Sequence, residues 1–236
     1  MSGSVSVLAP LGVDGWSYYL GVIQRLSMDG ADFIRYERGI AEPRHRDWHV
    51  VPKYSWERLS DQLMSSPNWN VGVRLGGWSK LGRRYLACID FDVRDPAKAT
   101  EAHAWMMEHC PEYLNLPSII RGTGSASRHF YGTFLGCPTR INLAKGHGWS
   151  IDVCGSAGKG CQNLWAGSRH PVDGLYTFER EFEIERIWDA LQEEREYDCD
   201  VPCGLEFSTK FEMMVYEKIR SDEPSQATPD DDDLIG

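Results

Sequence analysis

The sequence predicts an α/β fold of the α+β type, with mixed or antiparallel sheets flanked by helices. Three observations predict it. Short apolar segments of strand character recur along the chain, the strongest being Tyr85–Val93. Segments with apolar residues at helical spacing lie between and after them. The 236 residues are 42% hydrophobic and 25% charged, which suits a globular chain large enough to bury a core without disulfides or a structural metal.

The elements follow in order. Trp16, Tyr19, Leu20, Ile23 and Leu26 recur at helical spacing, so residues 15–28 read as an amphipathic helix stopped by Gly30. The polar segment from Glu37 to His49 reads as an exposed loop or as one that meets phosphates. Its His45 and His49 are four apart, but Pro43 and the lack of apolar rhythm argue against a helical metal pair. Ser55 is placed to cap a short helix carrying Trp56, Leu59 and Leu63. Asn68–Asn70 is expected to turn the chain into a strand with Val71, Val73 and Leu75, ended by Gly76 and Gly77. A basic hairpin-like connection over 78–84 leads into Tyr85–Val93.

Asp95 followed by Pro96 marks a helix start, and that helix is expected to run to about Cys110. Ser118–Arg121 and His129–Phe134 read as strands around a turn of small residues. A polar loop is expected before the strand Trp149–Val153, and Gly155–Gly160 is glycine-rich. Gln162–Ala166 and Leu175–Phe178 read as short strands around a turn at Pro171–Gly174. Beyond Phe178, Ile184, Ile187, Trp188 and Leu191 mark one acidic helix. Phe207, Phe211, Met214, Val215 and Ile219 mark another. The expected division is therefore a catalytic domain over 1–178, a helical extension over 179–220 and a disordered acidic tail over 221–236.

No run reaches the roughly 18 apolar residues of a membrane span, and Met1–Pro10 lacks the pattern of a signal peptide. Seven cysteines without a C-x-x-C point to a reducing, cytoplasmic setting with mostly buried free thiols. Cys199 and Cys203 are close in sequence, but no second pair completes a zinc site.

Asp90 and Asp92 lie two apart in an apolar strand, so both carboxylates project from one face. Two like charges side by side in an apolar sheet are costly unless a positive charge joins them. A divalent cation with oxygen ligands would do so; an exposed edge pair is the alternative. Asp152, after Trp149 and Ile151, is a turn residue or a third ligand. Three acids without a Cys/His cluster suit Mg²⁺ or Mn²⁺ better than Zn²⁺. Ser127-Arg128-His129 follows Gly122–Ala126, and small residues let a backbone approach a phosphate closely. Arg169 and His170 form a second basic pair beside a turn.

Taken in order, these segments resemble the catalytic domain of the bifunctional DNA primase/polymerase (prim-pol) family, within the archaeo-eukaryotic primase superfamily. The resemblance rests on Ile89-Asp90-Phe91-Asp92, Ser127-Arg128-His129 and Ile151-Asp152. Flanking matches are Asn70–Gly76, Leu116-Pro117 and Gly167–Tyr176. It covers roughly residues 10–178. It implies that Asp90, Asp92 and Asp152 hold two catalytic divalent metals, Mg²⁺ or Mn²⁺. It also implies that His129, helped by Ser127 and Arg128, contacts the triphosphate of the incoming nucleotide, and that Arg169 and His170 line the nucleotide or primer site. The expected partners are nucleoside triphosphates, a single-stranded DNA template or primer-template, and a separate helicase, since no helicase module follows here. The Lys-x-Pro segment common near the family's N-terminus is absent; Glu42-Pro43-Arg44 stands in its place.

Two other readings use the same residues. A metal-dependent nuclease or phosphoesterase also clusters acids, but leaves Ser127-Arg128-His129 idle. A non-catalytic replication-initiation or nucleotide-binding module would keep the acids without turnover. The tail Asp230–Gly236, acids followed by two apolar residues and glycine, is either a solubilising end or a docking tip for replication proteins.

The formal charge of −10 argues at first against a nucleic-acid partner. Its distribution removes that objection. Residues 1–178 carry 19 basic and 16 acidic groups, whereas 179–200 carry −7, 201–220 carry 0 and 221–236 carry −6. The segment with the motifs is mildly basic, which suits weak, salt-sensitive DNA binding.

Overall fold

The structure is a computed structural model and describes residues 13–37, 52–64, 69–122, 124–155 and 161–222. The polar segment with His45 and His49, the glycine run 156–160 and the acidic tail from 223 onward lie outside the described residues. In chain order the elements are α1 (Val13–Met28), β1 (Asp32–Glu37), α2 (Trp56–Met64), β2 (Trp69–Arg74), β3 (Lys80–Leu81), β4 (Arg84–Val93), α3 (Ala99–His109) and β5 (Ser118–Arg121). There follow β6 (Arg128–Phe134), β7 (Ile141–Gly146), β8 (Trp149–Cys154), β9 (Gln162–Leu164), β10 (Arg169–His170), β11 (Gly174–Arg180), α4 (Ile184–Tyr197) and α5 (Thr209–Asp222).

Helix α1 buries Tyr19, Val22, Ile23 and Leu26, the face its spacing predicts. Gly30, just after its end, has φ of +119°, and a Cβ there would stand 2.0 Å from the Lys80 carbonyl oxygen; only glycine fits. Ser55 caps α2, accepting the Arg58 N–H at 3.3 Å. Asp95 accepts the Ala97 N–H at 3.0 Å, but the turn it caps, Pro96–Lys98, is a 3₁₀ turn and α3 begins at Ala99.

The strands form two sheets. β1, β2 and β9 make a small sheet in that order; β10-β11-β5-β6-β4-β8-β7 make a large one, with β3 on β4. Every ladder among the described residues is antiparallel, so of the mixed and antiparallel arrangements anticipated, the antiparallel one holds. Two local expectations change. The polar loop before Trp149 contains β7, an edge strand bulged between Asn142 and Ala144; its sequence INLAKG lacks an alternating apolar face. Asn70 belongs to β2 rather than to a turn, because its side-chain amide acts as a backbone surrogate. It donates to the Arg169 carbonyl at 2.9 Å and accepts the Arg169 N–H at 2.8 Å.

The large sheet separates two cores. One lies between the two sheets and beneath α1, α2 and α4, with Leu86, Cys88, Tyr131 and Trp165 among its buried members. The other lies on the opposite face beneath α3 and α5, around Ile89, Phe91, Phe130, Phe134 and Phe211. The helices beyond residue 178 therefore help build the body of the fold: Ile187 and Leu191 enter the first core, Phe211 and Val215 the second. Among the described residues no helix is long and apolar enough to cross a membrane.

A buried ion pair fastens α5 to the sheet. Arg84 at the start of β4 donates to Glu212 at 2.7 Å, Asp200 at 3.1 Å and Thr133 Oγ1 at 3.2 Å. The side chains of Arg84 and Glu212 are each 9% exposed. Removing Glu212 leaves the buried Arg84 charge to the more exposed Asp200. Glu212→Ala is expected to lower the unfolding free energy by about 3 kcal/mol, measured by urea denaturation.

Candidate active site

The site begins with the alternation of β4. Leu86, Cys88, Asp90 and Asp92 share one face. Leu86 and Cys88 are fully buried between the sheets. Two and four residues on from Cys88, that face leaves the core and its side chains become carboxylates, 18% and 17% exposed. Register adds the neighbours: Asp90 stands opposite His129 on β6 and opposite Asp152 on β8. Cross-strand partners share a face, so three acids and one imidazole lie on one face of three adjacent strands.

Arg121 closes the group. It ends β5, two residues beyond Ile119, which pairs with His129. Its Nη1 donates to Asp90 Oδ1 at 3.0 Å and Asp92 Oδ1 at 3.2 Å. Its Nε donates to the Tyr176 hydroxyl at 3.3 Å, and Nη2 lies 3.7 Å from Asp173 Oδ2. Burial alone would raise the Asp90 pKa. The hydrogen bond and charge of His129, with Arg121 and Arg140, outweigh it and hold the carboxyl at about 2. His129 Nε2 is 3.5 Å from Asp90 Oδ1, while its Nδ1 is buried without a hydrogen-bond partner.

Ser127 fastens the incoming turn to β4. Its hydroxyl accepts the Val93 N–H at 2.8 Å and lies 3.2 Å from the Val93 carbonyl and 3.3 Å from Asp92 Oδ1. Arg128 is adjacent to His129 and projects from the opposite face. It donates to both Glu179 carboxylate oxygens, at 2.8 and 3.0 Å, and to the carbonyls of Ser125 and Ser127. Gly122, with φ of +94°, lies where a Cβ would meet the Asp173 carbonyl oxygen at 1.7 Å. The turn thus packs against the 171–174 turn, which only glycine permits.

Between these parts is a cavity of about 280 Å³, lined by Asp92, Arg94, Arg121, Gly124–Ser127 and Asp173. Arg94 is exposed and donates to Asp92 Oδ2 at 3.0 Å. Asp152 accepts from Asn142 Nδ2 at 2.8 Å. His170 joins the group indirectly: its ring stacks on Tyr176 with centroids 6.0 Å apart, and Tyr176 meets His129 edge-on at 5.8 Å. The Arg169 side chain is exposed, its backbone fixed by Asn70. Cys199 is exposed and Cys203 buried.

The structure thus gathers Asp90, Asp92, Asp152, Ser127 and His129 around one corner, with His170 behind Tyr176 and Arg128 on the far face. Sequence reasoning missed Arg121, Arg94, Asp173 and Tyr176. A signal existed for Arg121: it has the inward parity of Ile119 in a strand that ends on the small-residue turn.

A family described as "Bifunctional DNA primase/polymerase, N-terminal" matches residues 13–190, well over half of the chain. The chain belongs to this family of DNA primases and polymerases. No curated protein and no solved structure matches it.

Asp90, Asp92 and Asp152 offer only oxygen donors, a set that fits a hard divalent cation such as Mg²⁺ or Mn²⁺. Among the described residues no three His, Cys, Asp or Glu side chains converge as a ready coordination group. Arg121 lies across Asp90 and Asp92, and Asn142 holds Asp152.

The depressed Asp90 pKa carries a sign. An unfolded aspartate titrates near 3.9. Because the folded value is lower, the contribution of Asp90 to stability is present above pH 4 and is lost as pH falls toward 2. The difference corresponds to about 2 kcal/mol. In metal-free buffer, the stability lost between pH 5 and pH 2 is expected to shrink by about that amount in Asp90→Asn, followed by denaturant titration at each pH.

Proposed function

We propose that this protein joins nucleoside triphosphates on a DNA template as a metal-dependent nucleotidyltransferase, a primase/polymerase in the replication of a plasmid, phage or similar element. The observation that carries this reading is the placing of Asp90, Asp92, Asp152 and His129 on one face of adjacent strands, with Asp92 lining a polar cavity, in a chain of the DNA primase/polymerase family.

The reaction breaks the bond between the α-phosphorus and its bridging oxygen, and forms one to a 3′-hydroxyl. Pyrophosphate leaves, and the hydroxyl proton passes to solvent. Such a transfer needs positioning and charge neutralisation more than covalent catalysis. Asp90, Asp92 and Asp152 would hold Mg²⁺ or Mn²⁺, which lowers the pKa of an attacking hydroxyl and neutralises the leaving group. The chain's own groups do the rest. The small residues Gly124–Ser127 let phosphate oxygens approach the cavity wall, and Arg94 and Arg121 supply positive charge on the same wall.

His129 keeps Asp90 ionised and presents its ring beside the phosphates. Ser127 ties the turn to β4, and Arg128 braces it through the Ser125 and Ser127 carbonyls. Arg169 and His170 border the nucleotide or primer at the rim. All these residues fall within 1–178; the segment 179–220 buttresses them, and the acidic tail is left to recruit replication proteins.

Labelled primer-template, nucleotides and Mn²⁺ test the reading directly. Lengthened products support it, shortened products favour a nuclease, and bound nucleotide without extension favours a binding module. Asp90→Ala or Asp92→Ala is expected to cut incorporation at least a hundredfold, roughly the loss of one strong transition-state contact, with the thermal transition retained. Near-normal extension by either variant would remove these residues from the site.

A further inference from the structure

We propose that Arg121 is a resident counter-cation that occupies the Asp90–Asp92 pair in place of a divalent ion, and that metal entry releases its guanidinium to the phosphates. The inference rests on reading Asp90 and Asp92 as metal-holding carboxylates, and it goes further by giving one residue two successive partners.

All three guanidinium nitrogens are engaged: Nη1 with Asp90 and Asp92, Nε with the Tyr176 hydroxyl, Nη2 near Asp173. Three carboxylates thus surround one positive charge. Like charges this close cannot remain ionised together without a cation, and the Arg121 guanidinium satisfies that need. A divalent ion carries twice the charge and prefers oxygen ligands, so it competes for the same Oδ1 atoms and makes the guanidinium redundant there.

Arg121 also forms part of the wall of the 280 Å³ cavity, together with Arg94 and Gly124–Ser127. Its backbone is held at the end of β5 by the bond from its N–H to the Ser127 carbonyl at 3.2 Å. Re-aiming the guanidinium from carboxylate to phosphate therefore takes side-chain rotation alone. The planar fork suits both partners, since carboxylate and phosphate oxygens present similar spacing to it.

The test compares two affinities that a merely structural role would shift in the same direction. Mn²⁺ is titrated into the full chain and free Mn²⁺ is read by electron paramagnetic resonance. Binding of a non-hydrolysable nucleoside triphosphate is measured separately at saturating Mg²⁺. Arg121→Gln and Arg121→Met are expected to bind Mn²⁺ about tenfold more tightly, since a competing charge-assisted contact is gone. They are expected to bind the triphosphate about tenfold more weakly.

Unchanged or weaker Mn²⁺ binding overturns the proposal, as does undiminished triphosphate binding; clear Mn²⁺ binding in that case leaves the metal reading intact. If neither the wild type nor the variants bind Mn²⁺, both fall together. Should the neutral variants not fold, the wild type decides. Its Arg121 Nε–H resonance, assigned with Arg121→Lys, is expected to shift on Mg²⁺ addition and again with triphosphate, and a signal unmoved by saturating Mg²⁺ overturns the proposal.

Discussion

Asp90 faces His129 across one strand boundary and Asp152 across the other. Strand side chains alternate, so sliding β4 by one residue against either neighbour would turn both aspartates into the core beneath α3 and α5 and expose Ile89 and Phe91 in their place. The register is held by what lies further along the same ladder. Cys88 sits between Tyr131 and Cys154, and Ile89 between Phe130 and Val153, all buried. The apolar half of β4 thus fixes the placement of its charged half, and the cleft inherits its geometry from the packing of two cores that share one sheet.

Once those acids are fixed, the remaining groups follow from electrostatics. Carboxylates on adjacent positions of one face require positive charge, and it arrives from three directions: Arg121 from β5, Arg94 from the end of β4 and Arg140 from the segment before β7. Tyr176 and Asp173 then orient Arg121, and His170 and His129 flank Tyr176. The result is a polar corner in which opposite charges are matched through long side chains.

Much of this was legible in the sequence because it depends on local periodicity. The apolar lead-in to Asp90, the two-residue spacing to Asp92 and the helical faces of α1, α4 and α5 each follow from side-chain direction along one element. Arg121 was not legible as a partner of the acids, because its contacts join residues 29 to 31 positions apart on separate strands. β7 escaped because an edge strand needs only one buried neighbour and a bulge disturbs its alternation. Ser127, Arg128 and His129 read as one polar triplet in sequence, yet alternation sends Arg128 to Glu179 and His129 to Asp90. Pairing partners, unlike faces, are a property of register and turn geometry.

The ion pair between Arg84 and Glu212 spans 128 positions of sequence. During synthesis at about 5–20 residues per second, the strands of the large sheet leave the ribosome well before α5. Until α5 and the segment just before it arrive, Phe134 lacks the cover of Phe207 and Phe211. The nascent chain therefore carries an incomplete apolar sheet face for several seconds. Every residue of the cleft is already translated by then.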